Sequence, residues 1–331
     1  MKITQPDTLT TDLLRLSGNS DPRVAAEAQY EVAKALNLPL RDAILSGDIV
    51  SDIYSVDALA PGATPEWPLD VLNPGEEDDY TAYVIPGHGR IPERTIEGDY
   101  VTIPTYQIGN SMDMLLRIVR DANWAVLERA LQVMNAGFVK KVNDDGWRVI
   151  LGAGVDRNIL VYDGDATAGQ FTKRLVSLMK VVMRRNGGGN SASLNRRKLT
   201  DLYLSPEALE DIRNWGLDQV DEVTRREIYT AGDGGVTRVF NVNLHDIDEL
   251  GVGQQYQTFF SSNLSGSMGP SDIEIVVGMD KSRGNFIMPV RETLSIFPDP
   301  ALHRQQRVGY YGWMEAGFGC LDNRDVILGS I

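Results

Sequence analysis

Arg307 to Ile331 reads RVGYYGWMEAGFGCLDNRDVILGSI. From Val308 to Met314 bulky and small side chains alternate at period two, the pattern of a half-buried strand. Asp322-Asn323 marks a turn, and Val326-Ile327-Leu328 supplies a short buried strand beyond it. The segment therefore reads as a Gly- and aromatic-rich strand pair that closes the protein. No catalytic group lies beside it. Tightly packed sheet of this kind serves shape rather than chemistry.

The rest of the composition sets the frame. At 331 residues, 42% of them hydrophobic, the chain is long enough for one large or two ordinary globular domains. No apolar run approaches the roughly 20 residues needed to cross a bilayer. The opening MKITQPDTLTTDLL lacks the apolar stretch of a secretory signal, so a soluble protein made and used in a cytoplasm is expected. Cys320 is the only cysteine, which leaves no intrachain disulfide and no multi-cysteine zinc site. Between Gly319 and Leu321 it reads as a small core residue. The formal charge of -14 argues against a general nucleic-acid binder. The acidity is uneven, however. Between Ala166 and Thr200 stand Lys173, Arg174, Lys180, Arg184, Arg185, Arg196, Arg197 and Lys198, with no Asp or Glu among them. A basic stretch on an acidic body suggests contact between copies or a local nucleic-acid-facing patch; a solvated helix face is an equal reading.

Along the chain, residues 1–75 read as an arm. Asp21-Pro22 opens a helix as N-cap and N1 proline, and Leu38-Pro39 is expected to end it, with a second short helical stretch from Leu40 to Ser46. Pro61, Pro65, Pro68 and Pro74 then favour an extended path that buries little within its own subunit and lies across a neighbour. Residues 76–110 read as a projecting two-stranded loop, Tyr80–Ile85 and Tyr100–Ile108, around the turn-rich tip PGHGRIPERTIEGD. An isolated hairpin is marginal in water, so packing on the next subunit is expected. Leu115, Val119, Ala122, Val126, Ala130 and Val133 keep helical spacing and predict a strut helix from Ser111 to about Val142. Residues 151–270 read as a mixed α/β unit. It holds strands at Ile159–Tyr162, Leu202–Leu204 and Val236–Val242, a helix from Phe171 to Val182 stopped by Gly187-Gly188-Gly189, and a helix opened by Ser205-Pro206. Strands return at Ile273–Val277, Phe286–Val290 and Leu294–Phe297.

Chemistry is hard to assemble from these residues. His88, His245 and His303 stand in three different segments. His245-Asp246 is like the His-Asp pair of metal-dependent phosphohydrolases, but the further ligands such a site needs are missing. His88 reads as a loop residue and His303 as a polar residue at a strand entrance. Gly187–Gly189 is not followed by Lys-Ser or Lys-Thr, so it is no phosphate-binding loop. Gly152-Ala153-Gly154, after a strand-like apolar run, does not complete a dinucleotide fingerprint. Glu76, Glu77, Asp78 and Asp79 form a solvated run rather than an acid–base pair. No catalytic residue, cofactor site or metal site is expected.

The order of segments is more specific than any motif. With TDLYLSPEALEDIRNWG (Thr200–Gly216), FIMPVRETLSIFPDP (Phe286–Pro300) and the ending from Arg307, it resembles the major capsid proteins of tailed bacteriophages. That resemblance implies an α+β chain of the Hong Kong 97-type capsid fold. Its N-terminal arm would be 1–75 and its E-loop 76–110. The P-domain with its spine helix would take 111–150 and 271–300, and the A-domain 151–270 and 301–331. It implies pentamers and hexamers closing an icosahedral shell around double-stranded DNA, in a virion assembled in the host bacterial cytoplasm. A separate scaffolding protein, a portal and a decoration protein are the implied partners, DNA is held by proximity, and no membrane is involved. Arg90 and Arg94 at the loop tip are the candidates for ion pairs to a neighbour, with Glu93 and Glu97 as rim contacts; plain solvent exposure is the alternative. Some relatives weld subunits through an E-loop lysine. Pro39 to Val139 contains no lysine, so a shell held without covalent links is expected. The competing readings are an encapsulin-like nanocompartment and a soluble α/β enzyme.

Overall fold

The computed structural model describes residues 8–19, 21–45, 52–68, 100–121, 124–186, 197–213, 215, 238–264 and 274–331. The chain opens with helices α1 (Thr8–Ser17) and α2 (Pro22–Leu45) and strands β1 (Ser55–Ala58), β2 (Glu66–Pro68), β3 (Tyr100–Thr102) and β4 (Tyr106–Leu115). Helices α3 (Leu116–Arg120) and α4 (Trp124–Asp156) come next, then β5 (Leu160–Tyr162), α5 (Lys173–Asn186), β6 (Asp201–Leu204) and α6 (Pro206–Arg213). The remainder is β7 (Arg238–Val239), β8 (Val242–Asp246), α7 (Gln255–Asn263), β9 (Ile275–Met279), β10 (Phe286–Asp299), β11 (Arg307–Ala316), β12 (Gly319–Cys320) and β13 (Val326–Ser330). By their contacts, Met1–Pro65, Thr102–Gly146 and Ile287–Gly319 form one unit, and Glu66–Val101, Trp147–Phe286 and Cys320–Ile331 a second.

In the first unit β11 pairs antiparallel with β4 over ten residues, from Arg307 opposite Leu115 to Ala316 opposite Tyr106. β10 lies on its other side and takes β1 in parallel, giving the order β1-β10-β11-β4 with β12 beside β10. The alternation read in the sequence is present: Val308, Tyr310, Gly312, Met314 and Ala316 are buried, while Tyr311, Trp313 and Glu315 point to the half-open face. There Trp313 stacks on Phe297 and Tyr311 at centroid distances of 4.8 and 5.6 Å. The inner face meets α4. A Cβ on Gly312 would come within 3.2 Å of Met134 Cε, and Asn110 Nδ2 donates to the Met134 carbonyl at 3.3 Å. Phe138 and Val142 continue the buried stripe at helical spacing.

Two expectations change here. The strut helix does not start at Ser111. Ser111–Leu115 belong to β4, and the long helix is α4, whose 33 residues span about 50 Å and end at Asp156. Leu115 and Val119 do keep helical spacing, but ten residues of ladder with β11 satisfy the backbone as strand, and that partner is nearly 200 positions away. Gly152-Ala153-Gly154 consequently lies inside α4 and not after a strand.

The N-terminal segment is also less extended than its prolines suggest. α2 continues through Pro39 to Leu45. A mid-helix proline removes one donor and costs about 3 kcal/mol, a penalty that packing earlier in the helix can outweigh: Ala25, Ala28 and Ala33 are buried. α1 and α2 are tied to their own chain. Gln29 Nε2 donates to Ser17 O at 3.0 Å, Arg120 Nε donates to Gly18 O at 2.8 Å, and His303 Nε2 lies 3.2 Å from Asn19 O. β1 likewise pairs within its own chain, beside β10, and only the passage of Pro61 and Pro65 without helix follows the prolines.

In the second unit six strands run in the order β5-β13-β9-β6-β8-β7, with β5–β13 and β6–β8 parallel and the other pairs antiparallel. β13, expected from the sequence to partner β11, is instead central in this second sheet between β5 and β9. The turn at Asp322-Asn323 is real: the Asp322 carboxylate accepts from the Arg324 amide at 3.0 Å. The strand beyond that turn simply pairs elsewhere. Val176, Met179 and Met183 of α5 pack with Leu202, Leu204, Val242, Val276 and Ile327 in one core. Phe171 stacks on Trp215, whose Nε1 donates to the Phe171 carbonyl at 2.9 Å. Of the strand expected over Val236–Val242, the part from Arg238 onward is a hairpin, β7 and β8 joined by Phe240-Asn241 at φ of 49° and 65°, and Val236 and Thr237 lie outside the described residues. Both positive values belong to the two-residue turn that suits strand twist. β3 pairs with β2. Tyr80–Ile85, the acidic run Glu76–Asp79, His88 and Gly187–Gly189 lie outside the described residues.

Candidate functional site

Arg90, Glu93, Arg94 and Glu97, the residues expected to bridge subunits, all lie outside the described residues. β2 and β3 bring together the two ends of the segment that carries them. Among the described residues, the second unit holds three charged clusters that bear on function.

The first is buried. Arg197, counted in the sequence among the cations of a basic stretch, is fully buried. Its Nη2 pairs with Asp322 and its Nε lies 2.8 Å from Asp325 Oδ1. Arg324 Nε and Nη2 add bonds to Asp322 at 2.8 and 2.6 Å, and Asn285 Nδ2 donates to Asp325 Oδ2 at 2.5 Å. Two guanidinium groups against two carboxylates compensate each other's desolvation. Burial pushes the Asp325 carboxyl up to about 6; Asp322 and Asp280 add to that rise, against the opposing Arg197 and Asn285. Cys320, whose Sγ lies 3.2 Å from the Asp322 carbonyl, is pushed up to about 12 by burial and by the neighbouring Asp325. That thiol is a packing group, since a nucleophilic cysteine needs a lowered pKa. The cluster ties the entry of β6 to the loop before β13.

The second cluster surrounds Asp201. His245 Nε2 lies 2.8 Å from its Oδ1, Asn243 Nδ2 donates at 3.1 Å and Lys281 Nζ stands 3.3 Å away. The His245 ring stacks on Tyr203 at 4.7 Å. Burial opposes ionisation of Asp201, but the hydrogen bonds of His245, Thr200 and Asn243 and the Lys281 charge outweigh it and hold its pKa below the ordinary carboxylate range. His245 thus joins β8 to β6. Among the described residues no three His, Cys, Asp or Glu side chains converge as metal ligands.

The third cluster is a groove of about 610 Å³ lined by Lys180, Val181, Arg184, Lys198, Thr200 and Phe240, among others. Lys180 Nζ donates to the Phe240 carbonyl at 2.6 Å. Part of the expected basic stretch goes elsewhere. Arg174 pairs with Asp163 and Asp165, Arg197 is buried, and Arg196 lies outside the described residues. No local sequence signal marks the groove itself, because Phe240 reaches it through the positive-φ turn. No described helix is long and apolar enough to cross a membrane.

No protein-family model matches this chain, and no curated protein sequence does. Solved structures do match its fold. A structure from Microbacterium phage Oxtober96 superposes with a TM-score of 0.57 at 10% identity, covering 86% of this chain and 90% of the other. One from Gordonia phage Cozz gives 0.52 at 11% identity over 85% of each chain. A third, titled as the capsid of a native GTA particle, gives 0.50 at 11% identity over 86% of this chain and 89% of its own. At such identity the likeness is one of fold, and the fold is the Hong Kong 97-type, with sheets and helices in the α+β arrangement expected from the sequence.

Proposed function

We propose that this chain is a shell subunit, the major capsid protein of a tailed phage, self-assembling as pentamers and hexamers around double-stranded DNA. One observation carries the reading: the fold likeness spans about 85% or more of both chains, and includes a structure titled as a capsid. A likeness confined to one domain would speak only for a shared module. In this reading the P-domain expected at 111–150 and 271–300 becomes 111–146 with Ile287–Gly319, with α4 as its spine, and the A-domain expected at 151–270 and 301–331 becomes Trp147–Phe286 with Cys320–Ile331, following the two contact units. Segment 76–110 serves as the E-loop, with Arg90, Glu93, Arg94 and Glu97 facing a neighbour. The mechanism is one of contact area: several interfaces per subunit make a lattice stable even where each is weak. The acidity of each copy, -14, would keep the inner wall from adhering to packaged DNA. A scaffolding protein, a portal and a decoration protein are the further partners this role calls for.

Electron microscopy of the purified chain tests the reading. Closed icosahedral particles are expected, and particles from the producing cell should carry nuclease-protected duplex DNA. An enclosed enzyme would favour a nanocompartment instead. A chain that remains a monomer or small oligomer at every concentration ends the proposal.

A further inference from the structure

The second sheet is electrically polar along its strands. β6 and β8 run parallel, so their starts share one end and their finishes the other. At the starting end lie the groove cations Lys180, Arg184 and Lys198, with Arg185 beside them on α5. None of these four side chains has a carboxylate partner among the described residues, although the Lys198 backbone amide donates to Asp280 Oδ2 at 2.8 Å. At the finishing end lie Glu207, just after β6, and Asp246, Asp248 and Glu249, at and just after the end of β8. All four are exposed, and none has a cationic partner among the described residues. The two acidic segments meet: a Cβ on Gly251 would sit 3.2 Å from Glu207 Oε2.

Each end also exposes apolar side chains where a free surface gains nothing from them. Val181 and Phe240 stand 48% and 50% exposed at the basic groove, and Val252 is 74% exposed in the acidic loop. Phe240 in addition holds φ at 49°, a strained value for a bulky residue. An exposed aromatic on a strained turn is doubly unfavourable in an isolated chain, and covering it removes one of the two costs.

We propose that the basic groove of one copy receives the acidic loop Asp246–Val252 and Glu207 of a second copy, in a head-to-tail contact between like units. The occupant is chosen by complementarity. Cations flanking Val181 and Phe240 meet carboxylates flanking Val252, and both partners sit on every chain. A phosphate backbone would match the cations and leave the apolar side chains bare. Contacts between two different patches of one surface propagate, and they close into rings when the rotation permits. This inference deepens the shell reading and rests on it for the claim that copies associate at all.

Two double variants test it, Arg184→Glu with Lys198→Glu and Asp248→Lys with Glu249→Lys, together with the quadruple variant that combines them. All four positions are exposed, and an unchanged melting temperature checks that each variant folds. Sedimentation at low and high salt reads association. Each double variant is expected to associate about tenfold or more weakly than the parent, and the quadruple variant, with both signs exchanged, to recover most of the loss. Double variants that associate like the parent overturn the contact, even where the parent forms shells and the shell reading stands. A groove variant that loses only retention of duplex DNA overturns it in favour of phosphate binding. A parent that forms small oligomers sensitive to both reversals sinks the shell reading and keeps the contact. A parent that stays monomeric overturns both.

Discussion

Asp325 and Asp201 carry the same side chain with pKa values displaced in opposite directions, and the difference is set by neighbours. Folding lifts the Asp325 carboxyl to about 6, so the folded chain binds that proton more tightly than the unfolded one. Its stabilising contribution is complete below about 3.8 and is lost as pH rises through about 6. Asp201 is held low, so its contribution is present above about 3.8 and is lost as pH falls through its folded value. Melting temperature measured against pH separates the two. Asp325→Asn should shrink the decline between about pH 4 and pH 6, the remainder belonging to Glu274, whose carboxyl burial also pushes up, while the acid-side loss persists; a decline that the substitution leaves unchanged sinks the assignment. Arg197 marks what is legible at this scale. Arg197 and Leu199 are buried and Lys198 is exposed, the alternation of a strand entry. Three successive cations in the sequence mask that alternation. The carboxylates that compensate Arg197 lie 125 or more positions away, beyond any local signal.

Among the elements, α4 offers a paired measurement. Gly152 and Gly154 sit in one helix two positions apart, and glycine there costs about 0.5–1 kcal/mol relative to alanine. Nothing lies within 4 Å of a Cβ placed on Gly152, whereas one on Gly154 would come within 2.8 Å of Leu328 Cγ in β13. Gly152→Ala should therefore stabilise by about 0.5–1 kcal/mol, and Gly154→Ala should destabilise by about 1–3 kcal/mol through overpacking. Denaturant midpoints of both variants check the signs; equal shifts would remove the packing account. Elements with a local signature are legible in the chain. Ser205-Pro206 opens α6 as expected, with Ser205 Oγ accepting the Ala208 amide at 3.1 Å. β4 is not, because its signature is its partner: residues 111–115 fit a helix alone and a strand beside β11. The Phe240-Asn241 hairpin is hidden for a similar reason, since its turn lacks glycine and depends on a phenylalanine tolerating positive φ.

For the whole molecule, charge and lysine placement make one further prediction. Pro39 to Val139 carries no lysine, so the segment 76–110 proposed as the E-loop offers no side-chain amine for a covalent weld. Purified particles, boiled in detergent, should run as a single band at the subunit mass of 36.6 kDa. A ladder of covalent oligomers would contradict this directly. The N-terminal segment departs most from its composition. Its prolines suggest a segment with no partner in its own subunit, yet α1 and α2 bury Ser17, Ala25, Ala28, Gln29 and Ala33 there.

Composition, capping and strand alternation are properties of neighbouring residues and can be read along the chain: a mixed α+β chain, the caps of α2 and α6, the course of β11, the acidic surplus and the isolation of its basic stretch. Pairing was decided only in three dimensions. That β11 joins β4 and β10 while β13 joins β5 and β9, that Arg197 is neutralised inside, and that basic and acidic ends oppose each other along β6 and β8 all depend on residues far apart in the chain. A strand presents the same donors and acceptors to any partner, so its neighbours are chosen by the packing of the side chains on its faces, which exists only once the sheets have formed.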